Sequence, residues 1–400
     1  MPRNRNNQPL RGLLFQIQML KSIRELEPLL KKIEPAMQKN GSFGLMQNNA
    51  EFRSRLKILT PAFDYTYSQA NLDVHKLFCY NLLYIAEQDL SLAHCIQHNQ
   101  KTRVAIDLGP DHPIKSRLAN EALHDTICSY SALRSADSIK YDVANNQLLP
   151  GKKCWLSNLP SADLVAIEVL TSDIDLSYSV AHGYHKHGER PDIYMVLIDL
   201  LKVKHTRSAE SPTAAGMKGA EPGTLTLLEP VEVGTDSCYI LKKNPSGDIT
   251  YDWVRYTWEC WVTVHLGVIL GLYNELLKYP EVRSPEMSHR IKSFELEISA
   301  LKIMWEHSLN HIIDNTTEER KDYTAVLPVT PSHSIRNTQY ATSKRVLIDL
   351  IGFVLELGLN QFVDDTGPTW IKFKDAITYS THMSSLYRCH NRWPTYNNFQ

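Results

Sequence analysis

The feature that most constrains the fold is a change of hydrophobic period partway along the chain. Residues 10–130 place apolar side chains at three- and four-residue steps, as in Leu13, Ile17, Leu20, Ile23, Leu26, Leu30 and Ile33. That spacing predicts helices with one buried face. From about 131 to 235 the apolar residues gather instead into short runs, LVAIEVL, IYMVLIDL and TLTLLEPVEV, divided by Gly, Pro, Asn and Asp. Their length and β-branched content predict strands. From Asp248 the helical spacing returns. YDWVRYTWECWVTVHLGVILGLYNELLKY is apolar on most faces, as in a helix buried inside a bundle, and SHRIKSFELEISALKIMWEHSLNHII and YATSKRVLIDLIGFVLELGLNQF continue the pattern. Helices, a β block, then helices read as an α+β chain with its sheet in the middle. The expected divisions are 1–128, 129–245 and 246–400.

Charge and cysteines narrow the function. With 43 basic and 44 acidic residues the formal net charge is −1, so no global field recruits nucleic acid or an anionic membrane. The seven cysteines (79, 95, 128, 154, 238, 260 and 389) are scattered, and no pair has CxxC spacing. Neither a disulfide framework nor a metal site is expected, and a reducing cytoplasmic setting is. MPRNRNNQPLRG at the N-terminus has no apolar h-region and does not read as a secretory signal. The most apolar run, 261–273, is too short to span a bilayer and holds His265. No P-loop, GxSxG elbow or basic-aromatic strip occurs.

Residues 150–170, PGKKCWLSNLPSADLVAIEVL, need a more particular account. A Pro-Gly turn leads through two lysines to Trp155 and Ser157, and a strongly apolar strand follows. Two residues apart on an extended segment, the indole and the hydroxyl are expected on one face. Taken alone, an indole here reads as core of the β block.

Several joints of the chain together resemble the acyl-CoA dehydrogenase superfamily. Residues 150–166 are similar to its LNGxKxWITNxxxAD signature, with Gly151, Lys153, Trp155, Ser157, Asn158, Ala162 and Asp163 in place. DLSLAHCIQHNQ at 89–100 resembles the helix before the family's middle domain, and GMKGAEPGTLTLLEPVEV at 216–233 resembles its GxRGSxxxxLxFxDVxVP strand. The resemblance implies an N-terminal helical domain, a middle β-barrel domain and a C-terminal four-helix bundle around FAD. It puts Trp155 and Ser157 against the flavin ring, the Tyr130–Ser131 segment beside it, and Arg283 near the pyrophosphate. The implied substrate is an acyl thioester on CoA or acyl carrier protein, and the implied assembly a homodimer or homotetramer.

The chain also departs from the pattern. SYSALRSAD, 129–137, lacks the glycines of the family's LTEPxAGSD, and ELGLN, 356–360, has one glycine where the family has two. Dehydrogenation of an acyl thioester needs a carboxylate to remove the α-proton, yet Met383 falls at the family's glutamate position. Glu259, on the long helix after the β block, is about two residues off the alternative position. His382, seven residues after Asp375, is similar in spacing to a histidine of flavin monooxygenases on the same fold, and imidazole can give or take a proton near neutrality. Three functions follow: an FAD-dependent dehydrogenase with His382 or Glu259 as base, a monooxygenase using His382, and a flavin-less interaction protein. His182, His185 and His187 read as a polar loop, His94 and His98 as pocket or interface lining four residues apart, and Lys372 and Lys374 as phosphate contacts or solvated charges.

Overall fold

The computed structural model describes residues 49–63, 72–133, 136–171, 192–209, 216–220, 222–244, 252–314, 331–358 and 368–390. The predicted helix over 10–33, the histidines at 182–187 and residues 359–360 lie outside them. Among the described residues the protein is mixed helix and sheet. α1 (Phe52–Phe63), α2 (Leu72–Gln88), α3 (Leu90–Leu108) and α4 (Pro113–Ala119) precede ten strands; α5 (Asp252–Leu276), α6 (Pro285–Asp314), α7 (Pro331–Glu356) and α8 (Pro368–His390) follow. No helix among the described residues is long and apolar enough to cross a membrane.

A single residue, Asp89, divides α2 from α3. Its carboxylate accepts from Leu92 N and pairs with Arg55 of α1 at 3.2 Å. One side chain thereby caps α3 and holds α1 against it. The helical core joins α1, α2, α3, α5, α6, α7 and α8. α2 and α5 approach closely because Gly267 has no side chain: a Cβ there would sit 2.3 Å from the Cβ of Ala86. In a helix interior that glycine is tolerated for the contact it permits.

The strands form two sheets. The larger holds β1 (Cys128–Ser131), β2 (Lys140–Asp142), β3 (Gln147–Leu148), β5 (Leu164–Thr171), β6 (Ile193–Asp199), β9 (Val231–Glu232) and β10 (Cys238–Lys243). The smaller holds β4 (Gly151–Leu156), β8 (Gly223–Leu227) and β7 (His205–Ala209). β1 and β2 both run parallel to β5, at 164–167 and 170–171 respectively, while β6 flanks β5 antiparallel. The apolar run of β5 has two partners. Val165, Ile167 and Val169 face Leu156, Leu225 and Leu227 of the smaller sheet, and Leu164 and Ala166 face Val104, Ala105 and Ile106 of α3. Burial on both faces explains why the sequence shows a continuous run and no alternation.

The run TLTLLEPVEV, expected as one strand, is two. β8 ends at Leu227 in the smaller sheet and β9 begins at Val231 in the larger one. Pro230 lies between them, where its missing N–H cannot serve a ladder.

Candidate functional site

The site is a junction where α3, α5 and α8 meet one edge of the β block. Its strand wall is set by the motif around Trp155. β4 pairs with β8 in register at 151–153, then slips before Leu156. Trp155 takes up the slip with φ +58°, a left-handed conformation unusual for a bulky residue. Such a bulge re-aims the side chains beside it. Lys153 and Leu156 point inward at 0% exposure, while Trp155 is 47% exposed. Ser157, in the turn beyond the strand, is buried. The expectation that Trp155 and Ser157 share a face is therefore corrected: the bulge puts the indole at the surface and the hydroxyl inside.

Most other motif residues hold this wall in place. Lys153 Nζ meets Asp137 at 2.5 Å and also donates to the carbonyls of Ala132 and Glu168. The other oxygen of Asp137 accepts from Cys154 N. Asn158, left-handed at φ +66°, donates to the carbonyls of Cys95 and Cys128. Asp163 pairs with Arg53 at 2.6 Å and accepts from Ile127 N. Ser129 donates to Ser157 O, and Ser131 to Cys154 O at 2.9 Å. The segment 154–158 is thus fastened to β1 on both sides of Trp155.

Histidines of α3 complete the wall. His94 Nε2 lies 3.0 Å from Ser157 Oγ. The His98 ring is 4.4 Å from that of His94 and 6.3 Å from that of Tyr130. Tyr130 is buried, donates to Glu168 at 2.7 Å, and carries the Lys101 ammonium 3.7 Å above its ring. That ammonium is also 5.3 Å from the ring of Trp261 on α5. From α8, Tyr379 sets its ring edge toward His94 at 6.3 Å and toward His265 of α5 at 5.0 Å. A hydroxyl, three imidazoles and two phenol rings therefore converge from four elements and the turn after β4, all buried.

Carboxylates border this junction, each engaged. Asp375, one turn before Tyr379, accepts from Met217 N. Gly216 N donates to Thr378, and a Cβ on Gly216 would fall 2.3 Å from the backbone of Lys374, so the 216–220 loop lies flush on α8. Burial is the main cause that pushes the Asp375 carboxyl up from 3.8 to about 7, with Asp89 adding repulsion. Between those values the folded state holds more protons than the unfolded chain, so stability falls as pH rises from about 4 to about 7. The slope is roughly 1.4 kcal/mol per pH unit. Asp375→Asn keeps an acceptor for Met217 N and removes the charge. Urea melts of that variant should lose this component of the pH dependence and show greater stability than the parent at pH 8; parallel profiles would refute the assignment.

The sequence-based candidates divide clearly. Tyr130, Ser131 and Ser157 are buried around the 154–158 segment, whereas Trp155 is turned to the surface. Glu259, 0% exposed, takes hydrogen bonds on both oxygens from Ser308 of α6, at the α5–α6 contact where Trp305 also donates to Thr263. Arg283 ends the 3-10 helix Pro280–Arg283 beyond α5, and His382 lies on α8 three positions past Tyr379; the side chains of both are outside the described residues. Lys372 pairs with Glu275 at 3.4 Å and donates to Glu87 O, with burial holding its ammonium below the usual lysine range. Sequence reasoning left Tyr379 and His265 unassigned. For His265 the signal was a polar ring inside an otherwise apolar helix; Tyr379 lies on a helix of mixed polarity and gave none.

No protein-family model and no curated protein matches the sequence. Solved structures do match in three dimensions. TdsC, a dibenzothiophene monooxygenase of Paenibacillus sp. A11-2 solved with FMN and indole, superposes with a TM-score of 0.68 at 12% identity, over 93% of this chain and 96% of its own. Butyryl-CoA dehydrogenase of Megasphaera elsdenii gives 0.68 at 10%, over 94% and 96%. The HsaA monooxygenase of M. tuberculosis gives 0.67 at 13%, over 95% and 98%. The chain has the acyl-CoA dehydrogenase fold, which flavin monooxygenases share.

Proposed function

We propose that this chain is a flavin-dependent monooxygenase that oxygenates a small organic substrate, with His94 and Ser157 as its proton-handling pair. The observation that carries this reading is the 3.0 Å contact between His94 Nε2 and Ser157 Oγ, at a junction where the histidines outnumber the available acids. Glu168 is occupied by Tyr130 and Leu133 N, Glu259 by Ser308 and Asp375 by Met217 N.

The described residues fit a flavin. Trp155 presents an indole face at 47% exposure on a strand end fixed from both sides, a flat apolar surface suited to an aromatic ring. Bound there, a flavin would supply two-electron redox chemistry and, when reduced, electrons for oxygen. Ser157 would hold a hydrogen bond to the ring edge and pass or receive a proton through His94, since imidazole changes charge near neutrality. Tyr379 and His265 would wall off water. Arg283 is proposed to meet a pyrophosphate, which FAD carries and FMN lacks, so a comparison of the two flavins tests that contact. His382 is proposed as a further acid or base from α8.

A second reading, α,β-dehydrogenation of an acyl thioester on CoA or acyl carrier protein, draws on the likeness to butyryl-CoA dehydrogenase. The cytoplasm as its compartment and a homodimer or homotetramer as its assembly are proposed with either reading. Two assays separate the reactions. Substrate-dependent oxygen uptake from reduced flavin supports the monooxygenase; anaerobic bleaching of oxidised flavin by acyl thioesters supports the dehydrogenase and refutes it. Trp155→Ala should weaken flavin binding at least tenfold, measured by equilibrium titration. Unchanged affinity would remove Trp155 from the site.

A further inference from the structure

A second group of ligand-bearing side chains lies between α2 and α5. His75 and Cys79 are four positions apart on α2 and so share a face, and Cys260 reaches them from α5. Their ligand atoms all lie within 4.8 Å of one another. His75 Nε2 is 3.6 Å from Cys79 Sγ. The Tyr256 ring, one turn before Cys260, stands edge-on to His75 at 4.4 Å and steadies the imidazole. All three residues are buried, at 6%, 0% and 5% exposure.

We propose that His75, Cys79 and Cys260 bind one zinc ion, a site independent of the flavin reading. With bonds of about 2.3 Å to sulfur and about 2.0–2.1 Å to nitrogen, a tetrahedral zinc holds those two ligand atoms about 3.6 Å apart. The observed spacing is the same. Ligand softness excludes calcium and magnesium, which require oxygen donors. Charge favours Zn(II) over Cu(I). Two thiolates and a neutral imidazole make a neutral Zn(II) site, whereas Cu(I) leaves one net negative charge in an apolar interior. Binding converts two thiols to thiolates and releases two protons to solvent. The fourth coordination position falls to an exogenous ligand.

Such a site would clamp α2 to α5, the helix that carries Trp261 and His265. The Ala86–Gly267 contact already brings the same two helices together farther along.

The test uses the purified full-length chain, reduced and stripped with a chelator, then titrated with Co(II) as a spectroscopic probe. The expected result is thiolate-to-cobalt charge-transfer absorption saturating at one ion per chain and displaced by Zn(II). Cys79→Ser and Cys260→Ser should each lower the affinity at least tenfold, while Cys238→Ser, outside the group, retains it. Should either variant fail to fold, alkylation of the parent chain decides: Zn(II) should protect Cys79 and Cys260, identified by peptide mass. Absence of the absorption at one equivalent, its survival in both variants, or equal alkylation with and without Zn(II) would overturn the proposal.

Discussion

Lys153→Met should destabilise the protein by about 3–5 kcal/mol, the usual result of removing one member of a buried ion pair. Lys153 is fully buried, and its ammonium meets Asp137 and the carbonyls of Ala132 and Glu168. Methionine fills a similar volume, so little of the loss comes from a cavity. What remains is a carboxylate at 4% exposure deprived of its countercharge. The double variant Lys153→Met, Asp137→Asn should recover a large part of the loss, because the buried charges leave together. Urea midpoints of the two single variants, the double variant and the parent form the cycle. A single-variant loss under about 1 kcal/mol would contradict the account. The expectation bears on function because the same ion pair fixes Cys154, and with it the bulge that turns Trp155 outward.

His94→Ala should reduce turnover by about 10²–10⁴-fold, the range typical of a lost general acid or base. Flavin affinity should change only a few-fold, since the indole face is untouched. His94→Gln separates proton transfer from positioning. An amide can still hydrogen-bond Ser157 Oγ but cannot exchange a proton at neutral pH. If His94 moves a proton, the glutamine variant falls as far as the alanine variant. If it only holds Ser157, glutamine restores most of the rate. Ser157→Ala should lower turnover too, by severing the 3.0 Å contact from the other side.

The order of elements was legible because burial leaves a period in the sequence. β5 shows how far this goes: LVAIEVL announced a strand, and that both of its faces are covered emerged only from the packing. The signature at 150–166 was legible as a motif, but its division of labour was not. Lys153, Asn158 and Asp163 bind partners from distant segments, among them Asp137, Cys95 and Arg53, and no local spacing reveals those. The outward turn of Trp155 depends on a register slip against β8, a pairing between segments some seventy residues apart. TLTLLEPVEV misled for a related reason: composition marks strands without saying which sheet receives them.

The candidate site was harder to read. Its partners belong to four elements and the turn after β4, and meet only through tertiary packing. His94 and His98 announced a shared helix face, but nothing in the sequence named Ser157 as what that face meets. Glu259 was a candidate base because of its helix and position, and nothing in the sequence named Ser308 as the group its carboxylate meets. The zinc-site proposal has the same history. His75 and Cys79 are visible as a helical pair, but Cys260 joins them only because α2 packs along α5.

The most direct measurement is a titration of the purified chain with oxidised and reduced FMN and FAD, followed by visible absorption and by tryptophan fluorescence. The account predicts saturable binding of at least one flavin, a perturbed flavin spectrum, and weaker binding in Trp155→Ala. If neither flavin binds in either redox state, the exposed indole serves some other contact. The chain is then better understood as an interaction protein built on an enzyme fold.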